Sequence, residues 1–321
     1  MNKEGVIRVA LVPPERWGPS QQVFVPGTEP DPSQIYQEMR GHGVDFELID
    51  PGAFFATTVG KLHPMYSGLD PLRALKLLTR YRDVDLLLSV FEASCTLPLL
   101  LRRVFGYRPK IAMWDLIPEE QWLPRSVLQR ISLPRVDHLF LLSEYHNEYL
   151  ERKFHRRGTV IWQHVDTDFY TPAPAVARGP ILAIGDDHGR DYDTFIEAVC
   201  ELDVDVVLKT RRTLRIPSGC KARFAQIQKR LTFIELRDLY AAARVVVVPL
   251  HQTLNASGVG SVLEAMAMGK PMIVSDNPPI RDYFVPGKTA VVVPSHDPAR
   301  LRDAIRELVT DDARCAALGT A

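Results

Sequence analysis

The chain has 321 residues, of which 46% are hydrophobic, and its formal net charge is zero. This length suits two domains with buried cores, and the neutral balance argues against a nucleic-acid-binding protein that depends on a strongly basic surface. The four cysteines form no Cys-x-x-Cys pair, so the sequence predicts neither a disulfide framework nor a zinc site and fits a reducing cytoplasm. The N-terminus is interpreted as a first strand because it lacks the apolar core of a signal peptide. No apolar run is long enough to span a membrane.

The first half of the chain alternates strand and helix patterns, which predicts a parallel, doubly wound α/β sheet. Short apolar runs predict buried strands at residues 6–13, 44–49, 85–90, 110–114, 138–142 and 159–162. Helices are predicted at residues 33–41, 71–81, 94–105 and 144–154. The long loop at residues 14–32 follows the first strand, where such folds bind ligands; a mobile surface insertion is the alternative.

A Pro- and Ala-rich segment at residues 170–180 predicts a linker, and we place the boundary so that residues 1–171 and 172–321 form separate domains. The alternation resumes after the linker. Strands are predicted at 181–184, 204–208, 245–250, 271–275 and 290–293, and helices at 192–201, 234–243, 259–268 and 298–310. The expected architecture is two Rossmann-like domains with a cleft between them.

The helix predicted at residues 259–268 carries one carboxylate, Glu264, among apolar side chains. Helical side chains lean toward the helix N-terminus, so Glu264 is expected to point toward Gly258, Gly260 and Ser261. Small residues there would let a phosphate approach the unpaired N–H groups of the first turn, and the carboxylate could accept hydrogen bonds from a sugar diol. The pattern predicts a nucleotide site; a solvated Glu in an ordinary capped helix explains it equally well.

Three stretches carry a family resemblance: SGVGSVLEAMAMGKPMIVSD at residues 257–276, VIWQHVDTDF at 160–169 and ILAIGDDHGRDYDTFIEA at 181–198. They resemble, respectively, the signature, the end of the first domain, and the first strand, phosphate loop and helix of the donor domain in family 4 glycosyltransferases. Members of that family are retaining enzymes with the two-Rossmann GT-B fold. The resemblance is firm from about residue 136 onward and implies that residues 1–171 bind the acceptor and residues 172–321 the nucleotide-sugar donor.

The resemblance also implies roles for single residues. Arg190 stands where the family carries a phosphate-binding Lys, and Glu264 matches the glutamate that binds the ribose. Asp186 replaces the family's preceding Arg, and Lys209 and Arg211 could supply the missing charge; a solvated basic loop is the alternative. Further donor contacts are expected from Gly185, Asn255, Ser257, Gly258, Val259, Gly260 and Ser261.

Two departures from the family pattern bear on activity. The glutamate that contacts the transferred sugar would fall at Ala256, so Asn255, Ser257 or backbone N–H groups would have to hold the sugar hydroxyls. The sequence also stops at Ala321, before the family's helix that crosses back to the first domain, which we interpret as a short member or a truncated chain.

The family's acceptor-side His is replaced by Trp114, which leaves Asp115 and Glu92 as candidate polar groups at strand ends. A merely solvated acid is the alternative for Glu92. His251 and His188 are weaker candidates, since an isolated His is usually structural or exposed. A retaining reaction in which the leaving phosphate helps to deprotonate the acceptor needs no strong base.

The sequence predicts no metal site and leaves a membrane contact open. Four Asp-x-Asp pairs, including Asp191/Asp193, could suggest a metal-bound diphosphate, but they lie at strand and helix starts and at the end of the first domain, so no metal is expected. Basic amphipathic stretches at residues 73–82 and 122–135 could dock on anionic lipid, although helices packed on a sheet explain them as well.

The sequence therefore predicts a cytoplasmic, metal-independent retaining glycosyltransferase, with a peripheral contact at the inner membrane face left open. It would use a nucleoside-diphosphate sugar, with UDP or GDP favoured, as substrate and no cofactor. Its acceptor would be a glycan, a lipid-linked molecule or a small molecule, and no nucleic-acid partner is expected. The alternatives are a noncatalytic sugar-nucleotide-binding or scaffolding protein of the same fold and, with less support, a nucleotide-sugar epimerase.

Overall fold

The computed structural model describes residues 5–14, 41–58, 66, 68–115, 123–174 and 176–321. Most of the loop predicted at residues 14–32 and of the helix predicted at residues 33–41 lies outside these ranges. The described chain forms two compact units, which divide between Trp162 and Gln163. Phe169 and Tyr170 pack in the core of the second unit. The domain boundary placed after residue 171 stays a prediction.

The first unit contains a six-stranded sheet with the strand order β2-β1-β3-β4-β5-β6, and every pairing in it is parallel. The strands are β1 (Ile7–Val12), β2 (Val44–Leu48), β3 (Leu86–Val90), β4 (Lys110–Trp114), β5 (His138–Leu141) and β6 (Thr159–Val160). The helices are α1 (Ala53–Thr57), α2 (Pro71–Arg80), α3 (Phe91–Leu101), α4 (Leu123–Ser132) and α5 (Glu144–Phe154). All six predicted strands are present.

The second unit contains a six-stranded parallel sheet with the order β12-β11-β10-β7-β8-β9. Its strands are β7 (Ile181–Ile184), β8 (Asp205–Lys209), β9 (Arg223–Ile227), β10 (Val245–Val248), β11 (Met272–Ser275) and β12 (Val291–Val293). Its helices are α6 (Tyr192–Cys200), α7 (Phe233–Ala242), α8 (Val259–Ala267), α9 (Pro298–Thr310) and α10 (Asp312–Gly319). The predicted fold class is confirmed for both units.

The central strands of the second sheet are buried on both faces. Every residue of β7, β10 and β11 is buried. One face packs against α6 and α9, and the other against α7 and α8. This double burial explains why the strands are continuous apolar runs without alternation. Because all strands are parallel, their carboxyl ends share one edge, and the loops that follow them gather there.

Arg73, within the basic stretch at residues 73–82, does not lie on its surface. Its guanidinium is buried, donates to the carbonyl of Pro13 at 2.6 Å and to that of Gly68 at 2.8 Å, and contacts Ser94 Oγ at 3.3 Å. Burial lowers the pKa of Arg73 to about 10. The Arg73 side chain therefore links the segments around Pro13 and Gly68 by hydrogen bonds, and it cannot contact a lipid surface. No helix within the described ranges is long and apolar enough to cross a membrane.

The expectation of no disulfide was wrong, because Cys200 and Cys220 form one. Cys200 ends α6, and Cys220 lies just before β9, an edge strand that the sequence analysis missed. The backbone N–H of Lys221 also donates to the carbonyl of Cys200 at 2.8 Å. The return of the chain toward the end of α6 brings the two thiols together, and their spacing of 20 residues fits no recognisable motif.

Candidate functional site

The N-terminus of α8 opens the site. Its preceding residue, Gly258, has a φ of +89°, and a Cβ there would meet Val248 Cγ1 at 3.0 Å, so only glycine fits this position. No side chain of the described chain caps the first turn, which leaves its N–H groups for a ligand. Val259 is a partial exception: its side chain is buried in the core and its N–H lies 3.4 Å from the carbonyl of Ala256.

Arg190 joins the loop after β7 to this helix. The side chain is 3% exposed; its Nε donates to Asp187 Oδ2 at 2.7 Å and its Nη2 to Ser261 Oγ at 2.9 Å. Its third nitrogen, Nη1, is buried and has no hydrogen-bond partner among the described residues. A buried, unpaired guanidinium N–H is costly in an otherwise satisfied structure, so this nitrogen marks a position suited to an anionic partner.

Gly185 lies directly under the Arg190 guanidinium. A Cβ at Gly185 would stand 2.3 Å from Arg190 Nε, and the φ of Gly185 is +144°. The Tyr192 hydroxyl fixes the same turn by donating to the carbonyl of Gly185 at 2.8 Å. The loop therefore depends on glycine at this position for the close approach of the Arg190 side chain.

Glu264 is held by two tyrosines. The hydroxyl of Tyr240 donates to its Oε2 at 2.7 Å, and the hydroxyl of Tyr170 lies 3.4 Å from its Oε1. Burial raises the pKa of Glu264 above its ordinary value, and the two hydrogen bonds and the charge of Arg190 only partly offset that effect. The predicted isolated carboxylate therefore has defined partners, which fix the direction of its oxygens.

A pocket of about 490 Å³ lies beside this group, wholly within the second unit. Its lining includes Gly185, Asp186, Lys209, Arg211, Leu236 and Glu264. Asp186 organises the basic side of the pocket: it accepts hydrogen bonds from the backbone N–H of Arg211 at 2.6 Å and from Arg211 Nε at 2.8 Å. Burial alone would raise the pKa of Asp186, but these bonds and the charges of Lys209 and Arg211 lower it.

The loop before α8 holds the residues expected to replace the missing glutamate. Ser257 is buried and donates from Oγ to Asn255 Oδ1 at 2.8 Å, while Ala256 is half-buried against the core. Gly260 differs from its neighbours, because an added Cβ would meet only Gln163 Nε2, at 3.9 Å. The first turn of α8 is therefore open at Gly260 and closed at Gly258.

Among the residues expected to face an acceptor, Glu92 is fully buried at the start of α3, and Arg125 Nε on α4 lies 2.6 Å from its Oε1. Burial raises the pKa of Glu92, and the charge of Arg125 opposes that rise. This environment favours a structural role for Glu92. Trp114 ends β4, and its indole Nε1 has no partner within the described ranges. Asp115 follows with a φ of +64°.

The structure brings together a cluster of possible metal ligands that the sequence analysis did not recognise. Asp191 caps α6 and lies together with His251 and His296, three side chains whose ligand atoms could hold a metal ion. Of these three residues, the sequence analysis considered Asp191 within one of four Asp-x-Asp pairs and His251 as an isolated candidate, and it did not consider His296. His188, the other histidine considered, is exposed.

The second unit matches a described family. Residues 191–311 match the model described as Glycosyl transferases group 1. An 85-residue stretch is 40% identical to D-inositol 3-phosphate glycosyltransferase 1 of Catenulispora acidiphila, covering 26% of this chain and 19% of that protein. The chain thus matches about a fifth of the length of such curated relatives.

Solved structures resemble the chain over almost its whole length. Sucrose-phosphate synthase of Thermosynechococcus elongatus has a TM-score of 0.70 at 16% identity, with 98% of this chain and 92% of that chain covered. Anabaena HepE, solved in complex with UDP, has a TM-score of 0.66 at 12% identity, with coverages of 98% and 93%. At these identities the likeness establishes the fold alone, which is of the GT-B class.

Proposed function

We propose that the chain is a glycosyltransferase that moves a sugar from a nucleoside-diphosphate sugar to an acceptor. The observation that carries the proposal lies on α8. Arg190 donates to Ser261 in the first turn, which no side chain of the described residues caps, and Glu264, farther along the same helix, lines a pocket. The match of residues 191–311 to a glycosyltransferase family and the UDP bound by HepE support it.

The diphosphate is proposed to bind at the first turn of α8. The N–H groups near Gly260 and Ser261 and the charge of Arg190 would meet the negative charge that builds on the leaving group as the sugar–phosphate bond breaks. Arg190 is already oriented by Asp187 and Ser261, so little reorganisation is needed. Lys209, which lines the pocket together with Glu264, would add a second positive charge.

The ribose is proposed to bind at Glu264. Two tyrosines fix the carboxylate, which lines the pocket, so it can accept hydrogen bonds from neighbouring hydroxyls. UDP or GDP is the favoured nucleotide, and no cofactor takes part. Since the leaving diphosphate is stabilised by protein groups alone in this proposal, transfer needs no metal ion.

Transfer is proposed to retain the anomeric configuration. The bond between the anomeric carbon and the phosphate oxygen breaks, the acceptor oxygen bonds to the same face, and the acceptor proton passes to the leaving phosphate. Asn255, Ser257 and backbone groups would hold the sugar hydroxyls where Ala256 provides no acceptor. A glycan, lipid-linked or small-molecule acceptor, a cytoplasmic location and a peripheral membrane contact complete the proposal.

The second candidate is a noncatalytic sugar-nucleotide-binding protein. Ala256 favours it, because the position expected to contact the transferred sugar carries a methyl group. The burial of Glu92 against Arg125 also favours it, since this removes one polar group expected near the acceptor.

Binding and turnover distinguish the candidates. The full chain is titrated by calorimetry with UDP, GDP, ADP and their sugar conjugates. The site variants Arg190→Met and Glu264→Gln are titrated in the same way. Arg306→Gln and Glu197→Gln, which lie on exposed helix faces, are the controls. We expect selective binding that is weakened in the two site variants and unchanged in the two controls. Release of free diphosphate from the bound conjugate then supports an enzyme, whereas binding without turnover against an acceptor panel supports the second candidate. If no nucleotide binds, both fail.

A further inference from the structure

Three metal-ligand side chains meet at the carboxyl edge of the second sheet. Asp191 follows β7, His251 follows β10 and His296 follows β12. Nδ1 of His296 lies 2.9 Å, and Nδ1 of His251 3.5 Å, from the same oxygen, Oδ2 of Asp191. The two imidazole rings are stacked with their centroids 5.0 Å apart. Segments far apart in sequence thus present two nitrogens and one oxygen to a common point.

These separations suit a tetrahedral zinc site. Zinc binds imidazole nitrogen and carboxylate oxygen at about 2.0–2.2 Å, which places neighbouring ligand atoms about 3.3–3.5 Å apart. The His251–Asp191 distance of 3.5 Å matches this separation, the His296–Asp191 distance of 2.9 Å is shorter, and all three ligand atoms lie within 4.8 Å of one another. Both histidine side chains reach solvent, so small ring rotations can bring their nitrogens onto one ion. Imidazole and carboxylate are ordinary zinc ligands, and solvent can take the remaining position.

The carboxylate is preorganised for such an ion. Asp191 is buried; its Oδ1 accepts the N–H of Thr194 at 3.1 Å and its Oδ2 accepts the hydroxyl of Thr194 at 2.8 Å. Outer partners of this kind fix the orientation of metal ligands. A plain hydrogen bond from His296 to Asp191 accounts for one histidine. It does not account for His251, which stacks on the first ring and directs its Nδ1 to the same oxygen.

We propose that Asp191, His251 and His296 bind one zinc ion, which fastens the loops after β7, β10 and β12. The ion is separate from the proposed diphosphate contact. Arg190 directs its guanidinium to Ser261 on α8, whereas the next residue, Asp191, directs its carboxylate to α6 and the two histidines. The N–H of His251 also donates to the carbonyl of Gly189 at 2.9 Å, so the ion stiffens the loop that carries Arg190.

The test measures metal binding without nucleotide. The full chain, prepared without a histidine tag and stripped with a chelator, is titrated with zinc against a chromophoric competitor at neutral pH. We expect one saturable site per chain. Replacement of zinc by Co²⁺ should give the visible absorption bands of a four-coordinate ion bound by nitrogen and oxygen.

The variants are His251→Ala, His296→Ala and Asp191→Asn. Asparagine caps a helix as well as aspartate does, so Asp191→Asn should keep α6 folded while removing the charged ligand. Loss of an outer partner alone costs roughly 10–100-fold in metal affinity, so each ligand variant should lose more than about 100-fold. His188→Ala, an exposed histidine of the same loop, is the matched control and should bind zinc normally. The proposal is overturned if the wild-type chain takes up no stoichiometric zinc, or if the three variants bind it as tightly as His188→Ala does.

Discussion

The carboxyl edges of the two sheets use their charged residues in opposite ways. In the first unit, Glu92 is paired with Arg125, and Arg73 is bound to backbone carbonyls, so these groups are satisfied within the protein. In the second unit, Arg190 has two protein partners but one buried nitrogen without a partner among the described residues, and Glu264 lines a pocket. In the same parallel architecture, the charged groups compared at the first edge are paired inside the protein, whereas those at the second edge are available to a ligand. The position of a residue at a strand end does not by itself identify a ligand site.

The largest expected effect, on the free energy of unfolding, comes from breaking the ion pair between Glu92 and Arg125 in the first unit. Arg125→Met leaves the buried Glu92 without its cation, which should lower the free energy of unfolding by about 3–5 kcal/mol. Urea unfolding followed by circular dichroism measures the loss, and adding Glu92→Gln should restore part of it. Nucleotide affinity should not change. A loss below about 1 kcal/mol would show that Glu92 is not held as a buried charge.

In the second unit, removal of the Arg190 charge should lower nucleotide affinity more than it lowers the free energy of unfolding. Arg190→Met removes a charge-assisted contact of about 1.5–3 kcal/mol to the diphosphate, which is roughly a 10- to 150-fold rise in the dissociation constant. Calorimetry with the preferred nucleotide measures it, with Arg306→Gln as the exposed control. Equal affinities of the two variants would remove Arg190 from the donor site.

Two glycines of the same turn separate a folding effect from a binding effect. Gly258→Ala places a Cβ at a positive φ and 3.0 Å from Val248, so it should destabilise the chain by about 1–2 kcal/mol. Gly260→Ala places its Cβ in ordinary contact with Gln163 Nε2, at 3.9 Å, and should fold normally, but its methyl group would stand where the phosphate approaches. Thermal unfolding and nucleotide titration of both variants check this. Wild-type affinity in Gly260→Ala would contradict the proposed phosphate position.

The smallest effect concerns pH. The raised pKa of Glu264 means that its carboxylate gains a proton at a higher pH than an ordinary glutamate. A ribose contact that needs the charged form should therefore weaken, by about 1 kcal/mol, as the pH falls through that raised pKa. Conversely, the folded state without ligand gains stability in the same direction, because it holds the proton more tightly than the unfolded chain does. The affinity for a nucleotide sugar is measured as a function of pH. It should fall with decreasing pH in the wild type and change less in Glu264→Gln.

The sequence was sufficient for most of the fold, because strands buried on both faces are apolar runs that alternate with helical patterns. β7 and α9 have the predicted bounds. β9 was missed for the opposite reason: it lies at a sheet edge, with an exposed or partly exposed residue at every position, and so has no apolar run. The disulfide between Cys200 and Cys220 depends on the return of the chain toward α6, which no local pattern encodes.

The site was less accessible to sequence reasoning. The resemblance singled out Arg190 and Glu264, but their partners come from distant segments, as with Ser261 for the first and Tyr240 for the second. Tyr240 has the pattern of a core aromatic on α7, so nothing distinguished its hydroxyl. Glu92 was considered as a candidate because it follows a buried strand, and only the packing of α4 over α3 brings Arg125 to it. Such pairings depend on tertiary structure and leave no local spacing.

The order of strands in the second sheet has a consequence for biosynthesis. Of the strands in this sheet, β7 emerges from the ribosome first. Its neighbours are β8 on one side and β10, which begins only at Val245, on the other. Until that later segment is made, one edge of β7 exposes unpaired N–H and C=O groups and apolar side chains. The nascent second unit is therefore most prone to aggregation between the synthesis of β8 and β10, and a pause in translation there should increase its dependence on chaperones.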